Sequence, residues 1–222
     1  MWSRKEIKSR GKAAFLRNYW KCVVVAFILS LLVSGASSRS VSRQDANVVI
    51  DNISSSFDLF ITVATLGTII GLCIGIFVFN VIEVGGKRFF LNNREGPALI
   101  DTLIYGFRSN YMNIVKTMFM RGLFTFLWTL LFIIPGVIKA YQYRLVPYLL
   151  AENPDLEWRQ ALDISKSIMN GHKADTFVYD LSFILWYLAS AITFGLLGVF
   201  YVSPYVCASD AELYVTLKTI AQ

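Results

Sequence analysis

The sequence predicts an all-α polytopic membrane protein, a helical bundle of about six transmembrane helices arranged as three hairpins, with amphipathic helices at the membrane surface. Of the 222 residues, 55% are hydrophobic, 15% are aromatic and only 16% are charged, and the mean hydropathy is +0.54. Apolar segments near the length of a membrane helix recur along the chain and alternate with basic segments. We therefore treat residues 1–222 as a single integral membrane domain.

The basic N-terminal segment, residues 1–19, is predicted to form an amphipathic helix along the bilayer surface. Ile7, Gly11, Ala14 and Phe15 share one face of this helix, and the lysines point elsewhere. Cations on such a helix can contact anionic lipid headgroups. A flexible basic tail is the alternative interpretation.

The first two membrane helices are predicted over residues 20–36 and 57–82, with a polar, serine-rich segment between them. In the second helix, Gly67, Gly71 and Gly75 repeat every four residues. This spacing places the three glycines on one helix face, where another helix can approach closely. We expect this face to pack against a helix of the same chain or of a second copy.

The central hairpin is predicted over residues 113–134 and 136–151. Its first limb ends in a long uncharged run, which Pro135 and Gly136 follow. Proline cannot donate a backbone hydrogen bond and glycine tolerates left-handed dihedral angles. The pair is therefore expected to end one helix and start the next, and Pro147 lies in the returning limb.

Beyond this hairpin, residues 154–170 are predicted to form a second interfacial helix. The last hairpin comprises residues 177–193 and 195–208, with its turn expected at Gly195 and with Pro204 in the returning limb.

The two hairpins share a pattern of tryptophan, glycine and proline, displaced by about 58 residues, which indicates a duplicated unit. General reuse of these residues in membrane helices is the alternative. The corresponding residues are Trp128, Gly136 and Pro147 in the first hairpin and Trp186, Gly195 and Pro204 in the second.

The distribution of lysine and arginine predicts the orientation. In a six-helix topology, all but four of the 21 Lys and Arg residues lie on the side that holds both termini. By the positive-inside rule this side is cytoplasmic. The hairpins at Gly136 and Gly195 are short, and either could dip into the bilayer without crossing it. The four exceptions are Arg39, Arg43, the intramembrane Arg144, and Lys139, which is expected at the headgroups of the opposite face.

Charged residues inside the predicted membrane helices need partners, because a charge there costs at least about 3 kcal/mol. Arg144 and Asp180 are predicted at comparable depths. We predict that they form an ion pair, with Glu83 as the other candidate partner, and that Asn80 hydrogen-bonds to a neighbouring helix. The alternatives are that Arg144 extends to the headgroups or that it binds an anionic ligand.

No catalytic, metal-binding or cofactor motif is recognisable. The three cysteines lie singly in apolar segments, there is one histidine, and phosphate-binding loops and hydrolase motifs are missing from the sequence. The net charge of +6 lies beside apolar spans, which favours anionic membrane lipids over nucleic acid. We expect a non-enzymatic membrane protein, with no cofactor, that acts through lipids, a protein partner or self-association. The alternative is a small transporter or lipid-handling protein with an anionic-ligand site near Arg144.

Three sets of residues form a recognisable combination. They are Ile134-Pro135-Gly136 with Ile138, Lys139, Tyr141, Tyr143, Pro147 and Tyr148; Ile168 to Lys173 with Asp180 to Phe183 and Trp186; and Ser3 to Glu6 with Asn18 to Lys21. Together they resemble the uncharacterised bacterial membrane family DUF975. The resemblance extends over nearly the whole chain and implies a multi-pass protein of the cell membrane, mostly of Gram-positive bacteria, with about six spans. It implies no known substrate, cofactor or catalytic residue.

Overall fold

The computed structural model describes residues 3–34 and 65–221, without the side chains of residues 29–34. The described residues form helices and turns, with no strand among them. Most of the predicted serine-rich segment, with Arg39 and Arg43, and residues 57–64 of the second predicted membrane helix lie outside the described part. The helices are α1 (Arg4–Arg17), α2 (Tyr19–Ser34), α3 (Thr65–Glu95), α4 (Tyr105–Arg108), α5 (Tyr111–Leu131), α6 (Ile133–Gln142), α7 (Val146–Glu152), α8 (Trp158–Ile168), α9 (Lys173–Leu181), α10 (Ile184–Ile192) and α11 (Ser203–Ala221).

The N-terminal helix α1 has the predicted apolar face, but protein covers that face. Ile7 and Phe15 are buried, and α1 packs along α11. The two backbones are so close that a Cβ atom on Gly11 would lie 2.6 Å from Ser209 Oγ. Only the opposite, cationic face of α1 is therefore left for contact with a membrane surface.

Helix α3 continues to Glu95, beyond the predicted end at residue 82, and includes a π-helical turn at Gly75–Phe79. Inside the extension, Gly85 leaves no room for a Cβ atom against the backbone of Leu103. This close packing stabilises a helical segment that glycine alone would weaken.

The predicted packing of the glycine face is not seen in the described residues. Apart from the backbone of its own helix, no atom of the described residues would lie within 4 Å of a Cβ atom on Gly67, Gly71 or Gly75.

The turn of the central hairpin lies at Phe132, which is extended (φ −154°, ψ 141°), and not at Pro135 and Gly136 as predicted. Pro135 is in the first turn of α6, where no backbone N–H is needed. Gly136 lies against α5, and a Cβ atom there would be 2.6 Å from Thr129 Cα. Gly136 therefore allows the two limbs to pack closely, a different role from that predicted.

The returning limb of this hairpin is two helices, whereas the sequence predicted one over residues 136–151. Helix α6 ends at Gln142, residues 143–145 form a turn, and α7 starts at Val146 with Pro147 in its first turn. In a continuous helix the proline ring would clash with the carbonyl of Tyr143, so the chain must break there.

The interfacial helix predicted over residues 154–170 is α8, and it begins at Trp158, after a turn, with Glu157 as its N-cap. The following loop has a left-handed glycine, Gly171, at φ 80°.

In the second hairpin the predicted first limb is divided at residues 182–183 into α9 and α10. The turn is at the predicted Gly195, which has φ 83°, and Phe194 beside it has φ 51°. Gly198 lies close to Ser190 on the other limb, just as Gly136 lies close to Thr129 in the first hairpin. The sequence paired Gly136 with Gly195, but by its contacts Gly136 corresponds to Gly198. The predicted repeat therefore does not hold at this position.

The returning limb of the second hairpin continues into α11 through a π-helical turn, Gly198–Val202, and Pro204 is in the first turn of α11. It remains helical to Ala221, beyond the predicted end at residue 208.

The core is made by residues of α1, the start of α2, the second half of α3, the start of α5, and α7, α8, α9 and α11. Tyr148 of α7 stacks on Tyr214 of α11 at 5.0 Å between ring centroids. By length and composition, two helices in the described part of the chain could cross a membrane, Thr65–Glu95 and Tyr111–Leu131.

Candidate functional site

One arginine and two aspartates meet where the two hairpins contact each other. Arg144 lies in the turn between α6 and α7, and its guanidinium donates to Asp180 Oδ2 at 2.5 Å and to Asp210 Oδ1 at 3.0 Å. Asp180 belongs to α9 and Asp210 to α11. The ion pair predicted between Arg144 and Asp180 is thus present, and the same guanidinium also holds the C-terminal helix.

Two tyrosine hydroxyl groups complete this network. Tyr141 donates to Asp180 Oδ2 at 2.7 Å, and Tyr179 donates to Asp210 Oδ1 at 3.3 Å. Each carboxylate therefore accepts from one guanidinium nitrogen and from one hydroxyl group. The side chain of Asp210 is 13% exposed and that of Arg144 is 22% exposed, so most of the network is shielded from solvent.

The sequence did not identify Asp210, because the last membrane helix was expected to end at residue 208 and the remainder looked like a polar tail. A signal was available in the neighbouring small residues. Ala208, Ser209 and Ala211 are all buried, since small side chains let α11 pass close to its neighbours. A carboxylate within such a small-residue segment is expected to face protein.

The charges of the network are compensated within the protein. Lys87 of α3 supplies a second cation: its ammonium is 5.0 Å from the centroid of the Tyr148 ring and interacts electrostatically with Asp210. Both terminal nitrogens of Arg144 are bound to carboxylates. Two carboxylates already offset the charge of Arg144, so this geometry joins helices and does not favour an anionic ligand.

The other two predicted polar residues lie elsewhere. Glu83 pairs with Arg121 of α5 at 3.2 Å and does not contact Arg144. Asn80 donates to the carbonyl of Ile76 in its own helix at 3.2 Å, and among the described residues it makes no hydrogen bond to a neighbouring helix. An asparagine side chain can satisfy its amide locally when no polar neighbour is within reach.

An open cleft of about 360 Å³ lies between α3 and α5, away from Arg144. Its lining includes a polar stripe, which consists of Asn80, Arg121, Thr125 and Thr129. The two threonine hydroxyl groups donate to carbonyls one turn earlier in their own helix, at 2.8 Å each. The stripe therefore has few hydrogen-bond donors free for a ligand.

Lys139 does not lie where the sequence placed it. It belongs to α6, which packs against α8 and α9, and its ammonium is within electrostatic range of Lys166 on α8 and Lys173 on α9. The sequence predicted Lys139 at one membrane face and the other two lysines at the opposite face. The structure instead packs the helix that carries Lys139 against the two helices that carry the other lysines.

In the described part of the chain, no group of three histidine, cysteine, aspartate or glutamate side chains could hold a metal ion.

Comparison with known proteins gives a match to one family. Residues 103–221 match the family described as protein of unknown function (DUF975). The matched segment contains both hairpins and every member of the network around Arg144. No curated protein and no solved structure matches the chain.

Proposed function

Since the chain belongs to the DUF975 family of proteins of unknown function, we propose that it is a non-enzymatic, multi-pass protein of the bacterial cell membrane that acts through lipids or a protein partner. Both termini are cytoplasmic in this proposal. Helices α2 and α3 cross the bilayer, and the two hairpins are inserted into it from the cytoplasmic side.

The exposure of large apolar side chains at the hairpin tips carries this proposal. Ile133 and Ile134 are each 75% exposed at the first tip, and Phe194 is 99% exposed at the second. Removing such a side chain from water contributes about 1.5–3 kcal/mol, so an aqueous protein would be expected to cover them. Acyl chains of a bilayer would cover both tips at once.

The packing of the two terminal helices supports the orientation. Helix α1 lies along α11, so both ends of the chain are on the same side. Helices α1 and α8 carry exposed cations, as the cytoplasmic side of a membrane protein does.

The position of α8 supports an incomplete crossing by the first hairpin. Trp158 of α8 stacks on Phe124 at 6.0 Å, and Ser165 donates to the carbonyl of Gln142 at 2.7 Å. The outer face of α8 is charged and must remain in water or among headgroups. Each limb then extends about eight residues beyond α8, or about 12 Å at 1.5 Å per residue. This is less than half of a hydrocarbon core of about 30 Å.

The experiment combines membrane extraction with cysteine labelling in intact cells. The full chain should resist extraction by alkaline carbonate, and its release would refute the proposal. In a variant whose three native cysteines are replaced by alanine, Phe132→Cys should react with a membrane-impermeant maleimide from neither side. Ser40→Cys, in the serine-rich segment, should react from outside. Labelling of Phe132→Cys from outside would instead establish a complete crossing.

The transporter alternative, with an anionic ligand near Arg144, has less support because aspartates already bind that guanidinium. Native mass spectrometry of the protein extracted from its own membrane tests it. A reproducible anionic ligand that is lost in Arg144→Ala, but retained in a variant of an exposed arginine, would favour the alternative over our proposal.

A further inference from the structure

Three lysines from three helices converge at the base of the first hairpin. Lys139 is on α6, Lys166 is near the end of α8, and Lys173 is the first residue of α9. Helix α6 packs on both neighbours: Ser165, next to Lys166, donates to the Gln142 carbonyl at 2.7 Å, and the Phe177 ring, one turn after Lys173, is 6.3 Å from the ring of Tyr141. Lys166 and Lys173 each act electrostatically on the Lys139 ammonium, and an anion would offset this repulsion.

Protein carboxylates do not neutralise this lysine cluster. None of the ion pairs among the described residues includes Lys139, Lys166 or Lys173. The nearby acidic residues are Asp163, which acts electrostatically on Tyr143, and Asp175 in the first turn of α9. Neither of them is within 4.0 Å of a cluster ammonium, so the cluster keeps a positive charge.

The surroundings of the cluster combine aromatic and apolar groups. The Lys139 ammonium is 4.9 Å from the ring centroid of Trp128, which is partly exposed, and tryptophan prefers the headgroup region of membranes. Ile138 on α6 and Phe177 on α9 are 45% and 51% exposed. A ligand with an anionic head and an apolar tail fits this arrangement better than a small soluble anion.

The start of α9 adds a second favourable feature. Its N-cap residue, His172, makes no side-chain capping hydrogen bond, and the positive end of the helix dipole is beside Lys173.

We propose that Lys139, Lys166 and Lys173 bind the phosphate of an anionic phospholipid headgroup, whose acyl chains lie along the first hairpin. This inference rests on the proposed membrane location and deepens it. The lipid occupies the cytoplasmic leaflet, because α8 is on that side, and it would hold the hairpin at the headgroup level.

The test is a lipid titration of the full chain in a mild detergent, followed by native mass spectrometry. The probe is phosphatidylglycerol, with phosphatidylcholine as the zwitterionic reference. Each lysine near an anionic surface contributes about fivefold in affinity, so replacing all three lysines by glutamine should weaken the first phosphatidylglycerol site by on the order of 100-fold. Binding of phosphatidylcholine should not change.

A matched control removes three charges elsewhere. Arg108, Lys116 and Arg159 are exposed and lie outside both the lysine cluster and the cationic face of α1. Their replacement by glutamine changes the net charge equally and should leave the affinity within about threefold of wild type, since only the general surface attraction is lost. An equal loss in both triple variants would overturn the proposal.

Two further variants keep the test valid if the glutamine variant folds poorly. Replacing the three lysines by arginine should preserve binding, because the charge is kept. Asp163→Asn should strengthen it, because a nearby negative charge is removed. Loss of binding in the arginine variant together with no gain in Asp163→Asn would refute the site.

The source of the phosphate is tested by competition with glycerol phosphate. Weak or no displacement is expected, and displacement at equal concentration would overturn the assignment to a lipid. Failure of the membrane proposal gives a different result, because the wild-type chain would then be released by carbonate. A chain that stays in the membrane, with a triple glutamine variant that binds phosphatidylglycerol as wild type does, refutes only the lipid site.

Discussion

Replacing Arg144 by methionine should destabilise the protein by about 3 kcal/mol. Methionine keeps an apolar stem but leaves Asp180 and Asp210 without their shared cation. Removing one partner of a buried ion pair costs about 3–5 kcal/mol, and an exposed pair is worth under about 1 kcal/mol. The Asp210 side chain is only 13% exposed, so the figure for a buried pair applies to it. The Asp180 side chain is 34% exposed, so solvent screens its charge and its contribution is smaller.

The assay is thermal unfolding in detergent of variants in which Cys73 and Cys207 are replaced by alanine, followed with a thiol-reactive dye that reports exposure of the buried Cys22. For a chain of this size 1 kcal/mol corresponds to about 2–4 °C, so Arg144→Met should lower Tm by about 6–12 °C. Arg108→Met is the control, because its ion pair with Asp101 is equally short, 2.7 Å, but more than half exposed. Its Tm should fall by less than about 3 °C.

Neutralising the carboxylates separates the electrostatic effect from general disruption. Adding Asp210→Asn to Arg144→Met should recover part of the lost stability, because no uncompensated charge then remains at that position. A charge exchange between Arg144 and Asp180 would not restore stability, since the new aspartate would face Asp210. A Tm of Arg144→Met within the range of the Arg108→Met control would refute this account of the network.

Two further results are expected. Gly198→Ala should lower Tm, because the new methyl group would lie too close to the Ser190 hydroxyl group. Adding Ser190→Ala should restore Tm, because the nearest remaining atom, Ser190 Cβ, is 3.5 Å away. A double variant no more stable than the single one would contradict the contact. Burial and the hydrogen bond donated to Glu152 raise the pKa of Tyr214 above its ordinary value of 10.0. The protonated Tyr214 therefore contributes to the free energy of unfolding, fully below pH 10 and less as the pH rises above it. Between pH 8 and pH 11 the free energy of unfolding should fall less in Tyr214→Phe, which has no such group, than in wild type.

The sequence alone predicted an all-helical fold and several local features of it. Apolar periodicity placed Ile7 and Phe15 on one face of α1, and both are buried. The cost of an intramembrane charge led from Arg144 to Asp180, and the two are 2.5 Å apart. Such features depend on local spacing or on a charge that must be compensated, and both can be read along the chain.

The tertiary structure decided what covers each face and which residues share a partner. Lipid and protein satisfy an apolar helix face equally well, so periodicity could not show that α11 covers α1. Asp210 was missed and Glu83 was misassigned because ion pairing depends on helix packing, which brings Arg121 to Glu83 and leaves Arg144 to α11. Hydropathy gives the length of an apolar limb but not its depth. Only the packing of α6 on α8 and α9 placed Lys139 near Lys166 and Lys173, which the sequence had predicted at the opposite membrane face.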